Sequence, residues 1–148
     1  MSNVSNPLIG AWRLVSFETR SSTGETAYPF GPEAVGALVY TVEGLVCATV
    51  CRPDRPRFAA FDAQSGTPDE YAAAGRAYIS YVAEYSIDAE GGTVEHRFRH
   101  AAFPNWEGLS QTRHFSVSDD GERLELTTDA QVFGGDTVIA ALVWELEP

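Results

Sequence analysis

Two histidines lie four residues apart in the stretch VEHRFRHAAFPNWEG, residues 94–108. An imidazole can ligate a metal ion or transfer a proton near neutral pH. The stretch alternates apolar and charged residues, a pattern that predicts a β-strand. On a strand the Cα atoms of His96 and His100 would lie about 13 Å apart, which is too far for both rings to reach one zinc ion. We therefore predict no metal site here and consider other roles for the two side chains.

The same alternation predicts which side chains of this strand face the interior of the fold. His96, Phe98 and His100 share one face, and the charged residues between them share the other. Neighbouring strands, interpreted in the same way, direct three further polar groups inward: Tyr81, Tyr85 and Arg113. A buried donor or acceptor without a partner costs about 1–3 kcal/mol. Such an interior either satisfies its own hydrogen bonds or lines a cavity for a small ligand, and both alternatives stay open.

A histidine beside a phenol and a guanidinium is a combination that supports acid–base catalysis without a cofactor. The imidazole can move a proton, while the phenol and the guanidinium stabilise a developing enolate or phenolate oxygen. We predict His96, Arg113 and Tyr81 as catalytic residues for an isomerisation or a cyclisation. The residues predicted to contact the ligand are Phe30, Tyr40, Tyr85, Phe98, His100 and Trp106.

The elements that would position these residues are short strands separated by turns. Gly and Asp in the turns VEGL, DAEGG and SDDGER favour antiparallel hairpins. One segment differs, because Thr67 as N-cap, Pro68 at the first position and Gly75 as a stop predict a short helix over 67–78. Eight strands are predicted, over residues 9–19, 36–42, 45–51, 77–87, 92–101, 110–118, 123–128 and 137–146.

An antiparallel sheet of this size can remove its edges by closing on itself. We therefore predict an all-β fold, a single antiparallel barrel of about eight or more strands with one short helix. No linker, repeat or low-complexity segment divides the 148 residues, so one domain is expected over 1–148.

A formal net charge of −11 limits the classes of molecule that the protein is expected to bind. Such a surface repels nucleic-acid phosphates and anionic membranes, and no stretch approaches the roughly 18 apolar residues that a membrane-spanning helix needs. Cys47 and Cys51 lie on one predicted strand, about 13 Å apart, which is beyond the reach of a disulfide. Free thiols and a start without a signal-peptide pattern predict a cytoplasmic location. The negative net charge predicts that the protein binds neither nucleic acid nor membrane.

Motifs for nucleotide cofactors and for hydrolytic nucleophiles are missing from the sequence. The run VFGGDT, residues 132–137, has neither dinucleotide-binding nor P-loop spacing, and no Gly-x-Ser-x-Gly elbow is present. We expect no cofactor. The run CRPDRPRF, residues 51–58, holds three arginines; it either guides an acidic ligand or forms a solvated loop with weak local ion pairs.

Nine stretches that cover nearly the whole chain resemble the lipocalin-like domain family of bacteria and fungi, a group of calycin-type barrels. They are LIGAWRLVSFE (8–18), YPFGPEAVGALVYT (28–41), RPDRPRFAAFD (52–62), GTPDEYAAA (66–74), YISYVAEYSID (78–88), GTVEH (92–96), FPNWEG (103–108), QTRHF (111–115) and LVWE (142–145). Gly10-Ala11-Trp12 is similar to the Gly-x-Trp that opens the first strand of lipocalins. The resemblance implies a barrel around a small-molecule cavity, often in secondary-metabolite pathways, with no fixed set of catalytic residues.

Two functions follow as hypotheses. The first is a cofactor-free isomerase or cyclase that acts on an apolar natural-product intermediate. The alternative is a binding or carrier protein that holds a small apolar or aromatic ligand without turnover. The last predicted strand, TVIAALVWEL, is apolar on both faces, so the helix or a second subunit is expected to cover its outer side. If a second subunit covers this face, the expected assembly is a homodimer. A purely structural barrel that associates through its surface is a third hypothesis.

Overall fold

The computed structural model describes residues 6–148, which form ten β-strands and one α-helix. The elements in chain order are β1 (Gly10–Ser21), β2 (Thr26–Ala27), β3 (Val35–Tyr40), β4 (Leu45–Cys51), α1 (Pro68–Arg76), β5 (Tyr78–Asp88), β6 (Thr93–Ala101), β7 (Ser110–Val117), β8 (Arg123–Thr128), β9 (Gln131–Phe133) and β10 (Asp136–Leu146). A single 3-10 turn, Pro104–Trp106, follows β6.

Eight of the strands close into an antiparallel barrel, which confirms the predicted fold class. They pair in the order β1-β3-β4-β5-β6-β7-β8-β10, and β10 pairs with β1 to complete the ring. The eight predicted strands agree with the observed bounds to within two residues. Only β2 and β9 escaped prediction, because strands of two and three residues are too short to show a period.

The helix α1 begins where the sequence predicts, after the N-cap Thr67, but it does not end at Gly75. The Thr67 hydroxyl accepts a hydrogen bond from the Glu70 amide at 3.2 Å, and the Glu70 carboxylate accepts one from the Thr67 amide at 2.9 Å. This reciprocal capping box satisfies two amides that the first helical turn leaves free. The predicted stop at Gly75 is wrong: the helix includes Gly75 and continues to Arg76. Gly75 does not adopt a left-handed conformation, and a glycine within a helix costs only about 1 kcal/mol relative to alanine, so the helix continues through it.

One end of the barrel is closed by large buried side chains. Trp12 is 1% exposed, and its indole N–H donates to the Leu8 carbonyl at 2.9 Å. The Tyr85 hydroxyl donates to the Thr41 carbonyl at 2.6 Å and accepts from the Asn6 side-chain amide at 3.0 Å. This end is therefore packed core, and any room for a ligand lies nearer the opposite end.

A β-bulge in β6 reverses the predicted direction of His100. Phe98 lies opposite Ala83 of β5, whereas His100 lies opposite Val82, so Arg99 is an extra residue in β6. An extra residue shifts the alternation of all that follow by one place. His100 is consequently exposed, and the prediction that it faces the interior is wrong.

The outer face of β10 is only partly covered in the monomer. The helix packs mainly against β5, and Ile139 of β10 is 41% exposed. The expected homodimer, which would cover this face, stays a prediction.

Both cysteines of β4 are free thiols, as their spacing predicts. Within residues 6–148, the structure contains no helix with the length and apolar character needed to cross a membrane. The cytoplasmic location and the absence of nucleic-acid binding stay predictions.

Candidate ligand-binding site

The barrel encloses a cavity of about 70 Å³ in the half away from the Trp12 end. Seven of the eight barrel strands, the flanking strand β9 and the 3-10 turn contribute to its wall. Most of the lining side chains are apolar: Phe17, Leu38, Ala48, Val50, Ile79, Trp106, Leu126, Phe133, Ala140, Leu142 and Trp144. The remaining ones are Tyr81, Gln111, Arg113 and Gln131. The cavity thus combines an apolar wall with a small polar group, as ligand sites in proteins commonly do.

The polar side of the cavity is rich in hydrogen-bond donors. Arg113 is 9% exposed, and its guanidinium donates to the Gln111 side-chain oxygen at 2.7 Å. Gln111 and Gln131 supply side-chain amides, and Tyr81 supplies a phenol. Trp144 lines the same cavity, and its indole N–H is a buried donor without a partner within the described chain.

Behind Tyr81 lies a buried relay of three side chains, Tyr40, His96 and Tyr81. The Tyr40 hydroxyl is 2.7 Å from Nε2 of His96, and the Tyr81 hydroxyl is 2.9 Å from Nδ1. His96 is completely buried and Tyr40 is 1% exposed. Of the three, only Tyr81 lines the cavity. His96 is therefore placed to act on a ligand through Tyr81 and not by direct contact.

Burial keeps the whole relay neutral at physiological pH. It lowers the pKa of His96 to about 3, and the charge of Arg113 adds to the shift. Burial raises the pKa of Tyr40 well above its ordinary value. Burial also raises the pKa of Tyr81, although the neighbouring guanidinium of Arg113 opposes that shift. The imidazole is thus neutral and both phenols keep their protons.

We infer the position of the proton on the His96 ring from its two hydrogen bonds. A neutral imidazole has one N–H donor and one acceptor, so one tyrosine hydroxyl donates to His96 and the other accepts from it. Among residues 6–148 the Tyr40 hydroxyl has no partner other than His96. Donation by Tyr40 to Nε2 satisfies its proton, and Nδ1–H then donates to the Tyr81 oxygen. Tyr81 keeps its own proton free to bind an acceptor atom in the cavity.

Among the described residues, no side chain that lines the cavity is a base at neutral pH. The lining contains neither histidine nor a carboxylate. Tyr81 is a protonated phenol, and the guanidinium of Arg113 has donors only. A ligand in the cavity would therefore meet groups that bind an oxygen acceptor, and none that accept a proton.

Aromatic side chains stabilise the cavity from two directions. Trp106 stacks on Phe98 with ring centroids 5.5 Å apart, and Tyr81 meets Phe98 edge to face at 4.7 Å. On the other side, Phe17 contacts Phe133 at 6.0 Å between centroids. Edge-to-face and offset-stacked rings of this kind attract one another beyond the effect of burial alone.

A second space, which we call the outer chamber, lies beyond Phe133. It measures about 530 Å³ and is lined by Thr19, Ser21, Glu25, Ala27, Pro29, Phe30, Arg76, Phe133, Gly134, Asp136 and Val138. Phe30 packs edge to face on Phe17 at 5.4 Å. Phe133 lines both spaces, and we infer that its ring forms a partition between the cavity and the outer chamber.

Phe133 belongs to a hairpin that is held on one side only. We call β9 and the turn Gly134–Gly135 the flap. Strand β9 pairs with β10 and with no other strand of the described chain. The two glycines have φ values of 64° and 89°, a left-handed conformation that glycine adopts without strain. An edge hairpin with few partners is the kind of element that opens locally.

The structure brings together only part of the predicted site. Tyr81, Arg113 and Trp106 line the cavity, while His96, Tyr40 and Phe98 lie directly behind them. Three predicted residues lie elsewhere: Tyr85 at the closed end, Phe30 in the outer chamber and His100 on the surface.

Sequence reasoning missed Gln111, Gln131 and Phe133. Gln111 shares the inward face of β7 with Arg113, so the alternation of SQTRHF carried a usable signal. Gln131 and Phe133 belong to β9, whose three residues are too few to show an alternating pattern. Among residues 6–148, no group of three or more His, Cys, Asp or Glu side chains is arranged to hold a metal ion.

A closed eight-stranded antiparallel barrel with side chains filling most of its interior is the architecture of the lipocalin-like barrels. The sequence matches the family described as "Lipocalin-like domain" over residues 9–146, and the chain belongs to that family.

Two known proteins are similar to the chain. One is the 4′-hydroxy-3′-methoxypropiophenone carrier protein ppsC of Aspergillus oryzae, 31% identical over 108 residues, which are 68% of this chain and 96% of that protein. The other is the crystal structure of Rv2717c from M. tuberculosis, with 14% identity and a TM-score of 0.38 over 97% of this chain and 94% of that chain.

Proposed function

We propose that this protein binds one small aromatic ketone or phenol inside its barrel and carries it without changing it. The observation that supports carriage over catalysis is the absence of a base from the cavity lining. Acid–base catalysis at neutral pH is most efficient with a group whose pKa lies near 7, and burial holds the pKa of His96 at about 3 behind Tyr81. Isomerisation or cyclisation, which the sequence alone favoured, would find no histidine or carboxylate in this lining, whereas the carboxylates of Glu25 and Asp136 line the outer chamber beyond Phe133.

The donors of the cavity specify the ligand's chemistry. The free proton of Tyr81 and the guanidinium of Arg113 can both bind one carbonyl or phenol oxygen. The apolar wall, with Trp106 and Phe17, suits an aromatic ring. The similar Aspergillus protein is named as a carrier of an aryl ketone that bears a hydroxyl and a methoxy group. That compound, 4′-hydroxy-3′-methoxypropiophenone, is a suitable probe of binding, and we call it the aryl ketone.

The closed cavity is smaller than the ligand sites of drug-sized molecules, which measure about 300–1,000 Å³. Its volume of about 70 Å³ would hold little more than a few atoms. Movement of Phe133 would join the cavity to the outer chamber of about 530 Å³. We infer that the flap opens to admit the ligand and that Phe133 is the side chain that must move.

Replacing Phe133 by alanine is expected to raise both the association and the dissociation rate constant of the aryl ketone several-fold, because it removes the partition. Stopped-flow tryptophan fluorescence measures both rates. Val132→Ala is the matched control, since Val132 lies on the same strand and is 74% exposed. Rate constants that are equal in Phe133→Ala and the wild type would show that the ligand enters elsewhere.

The carrier hypothesis predicts saturable one-to-one binding of the aryl ketone and its recovery unchanged by chromatography after prolonged incubation. Arg113→Met removes a charged donor from the cavity and is expected to weaken binding by about 10- to 100-fold. Arg97→Met removes the same charge from the outer surface, where Arg97 is paired with Glu84 at 3.8 Å, and should bind normally. Conversion of the probe into a product would favour the isomerase or cyclase hypothesis, and equal binding by both variants would remove Arg113 from the site.

A further inference from the structure

The ten arginines of this protein fall into three groups according to their partners. All ten basic residues are arginines, in a chain of formal net charge −11. Five of them lie within 4.0 Å of a glutamate carboxylate: Arg13, Arg20, Arg97, Arg99 and Arg123. Arg113 is bonded to Gln111 inside the barrel. The remaining four, Arg52, Arg55, Arg57 and Arg76, have no carboxylate within that distance among residues 6–148.

Three of these four arginines line one groove outside the barrel, between the segment that follows β4 and the helix α1. The groove measures about 820 Å³ and is formed by Val35, Cys51, Arg52, Pro53, Arg55, Pro56, Arg57, Phe58, Ala60, Phe61, Asp62, Ala63 and Ala74. We call it the arginine groove. Its volume lies in the range typical of small-molecule sites, about 300–1,000 Å³.

The arginine groove also contains large apolar side chains that are exposed to solvent. Phe61 has a relative exposure of 108%, so its ring projects wholly into solvent. Val35 at the far wall is 44% exposed. Phe58, Phe61 and Val35 line the same groove as the three arginines, so apolar side chains and cations face one shared space, as they do at many binding sites.

The wall of the groove is fixed before any ligand arrives. The Phe58 ring contacts the Tyr71 ring of α1 at 5.3 Å between centroids, and the Ala59 amide donates to the Glu70 carboxylate at 2.8 Å. The Arg55 guanidinium lies 4.6 Å from the centre of the Tyr78 ring. Such contacts reduce the conformational entropy that a ligand must overcome on binding.

One carboxylate limits where a negative ligand group can bind. Asp62 is the single acidic residue in the lining of the arginine groove. It accepts hydrogen bonds from the Ser65 hydroxyl at 2.7 Å and the Gln64 amide at 3.0 Å. A ligand anion would therefore be repelled from the Asp62 end and attracted to the end that carries Arg52, Arg55 and Arg57.

We propose that the arginine groove is a second binding site, separate from the barrel cavity, which binds an apolar molecule through its carboxylate group. The guanidinium groups match a carboxylate in charge and in planar geometry. The apolar part of the molecule lies on Phe58, Phe61 and Val35. On a surface that is otherwise negative, this patch is also where an organic anion approaches without repulsion.

Decanoate and the uncharged decanol are suitable probes, compared by isothermal titration calorimetry. Decanoate is expected to bind the wild type and decanol to bind at least about tenfold more weakly. The double variant Arg55→Gln/Arg57→Gln should lose about tenfold in decanoate affinity. The control Arg97→Gln/Arg99→Gln, which removes two charges from the outer face of β6, should stay within about twofold of the wild type.

The variant Ala140→Met separates this site from the barrel, because Ala140 lines the cavity and a longer side chain fills it. Decanoate binding that persists in Ala140→Met and weakens in the Arg55→Gln/Arg57→Gln variant supports the proposal. Loss of binding in Ala140→Met, equal weakening by the two arginine pairs, or no binding to the wild type up to about 1 mM would each overturn it. None of these results depends on whether the aryl ketone binds in the barrel.

Discussion

Replacing His96 by alanine is expected to lower the free energy of unfolding by about 3–5 kcal/mol. The substitution removes a completely buried ring from the barrel and leaves a cavity in its place. It also leaves the hydroxyls of Tyr40 and Tyr81 without their bonds of 2.7 and 2.9 Å. Urea denaturation followed by tryptophan fluorescence measures the loss.

Two further variants separate the causes of that loss. Tyr40→Phe deletes one hydroxyl and leaves Nε2 of His96 unpaired, for an expected cost of about 1–3 kcal/mol. His100→Ala changes a histidine that the bulge of β6 turns into solvent, so its effect should lie within about 0.5 kcal/mol. A loss below about 1 kcal/mol in His96→Ala would mean that the relay does not hold the barrel together.

Acidification from pH 7 to pH 4 is expected to remove about 3 kcal/mol of stability through His96 alone. The unfolded chain binds a proton at this histidine once the pH falls below about 6.5. The folded chain resists until its lowered pKa of about 3. Between these two pH values the unfolded state binds more protons than the folded state, so the free energy of unfolding falls as the pH falls. Above about pH 6.5 the neutral His96 makes its full contribution to the free energy of unfolding.

The variant His96→Gln isolates this contribution, because glutamine can bridge both tyrosines without titrating. The carboxylates whose pKa is lowered by hydrogen bonds, Asp62, Glu70 and Asp120, titrate in both proteins and cancel in the difference. The expected difference in slope approaches about 1.4 kcal/mol per pH unit between pH 6 and pH 4. Identical pH profiles in the two proteins would contradict a neutral, buried His96.

The sequence specified which face each strand turns inward, because side-chain alternation is a local property of the backbone. That alternation correctly directed Tyr81, His96 and Arg113 into the barrel. It failed at His100, since a bulge adds a residue through pairing with another strand and leaves no local mark.

Side-chain alternation also does not predict how far along the barrel axis an inward-facing side chain lies. Tyr81 and Tyr85 share one face of β5, yet Tyr81 lines the cavity while Tyr85 bonds to Thr41 at the closed end. Their difference depends on the stagger of the paired strands, which is fixed only when the barrel closes. For the same reason the sequence could not show that His96 lies behind Tyr81. The prediction of a histidine in contact with the substrate rested on the face alone.

The most direct test of a ligand inside the barrel is calorimetric titration of the aryl ketone into the wild type and into Ala140→Met, whose cavity is filled. Thermal melts of both proteins establish that each is folded. The structure predicts one-to-one binding to the wild type and at least about tenfold weaker binding to the variant. Equal affinity in the two proteins would place the ligand outside the barrel and contradict the proposed carrier function.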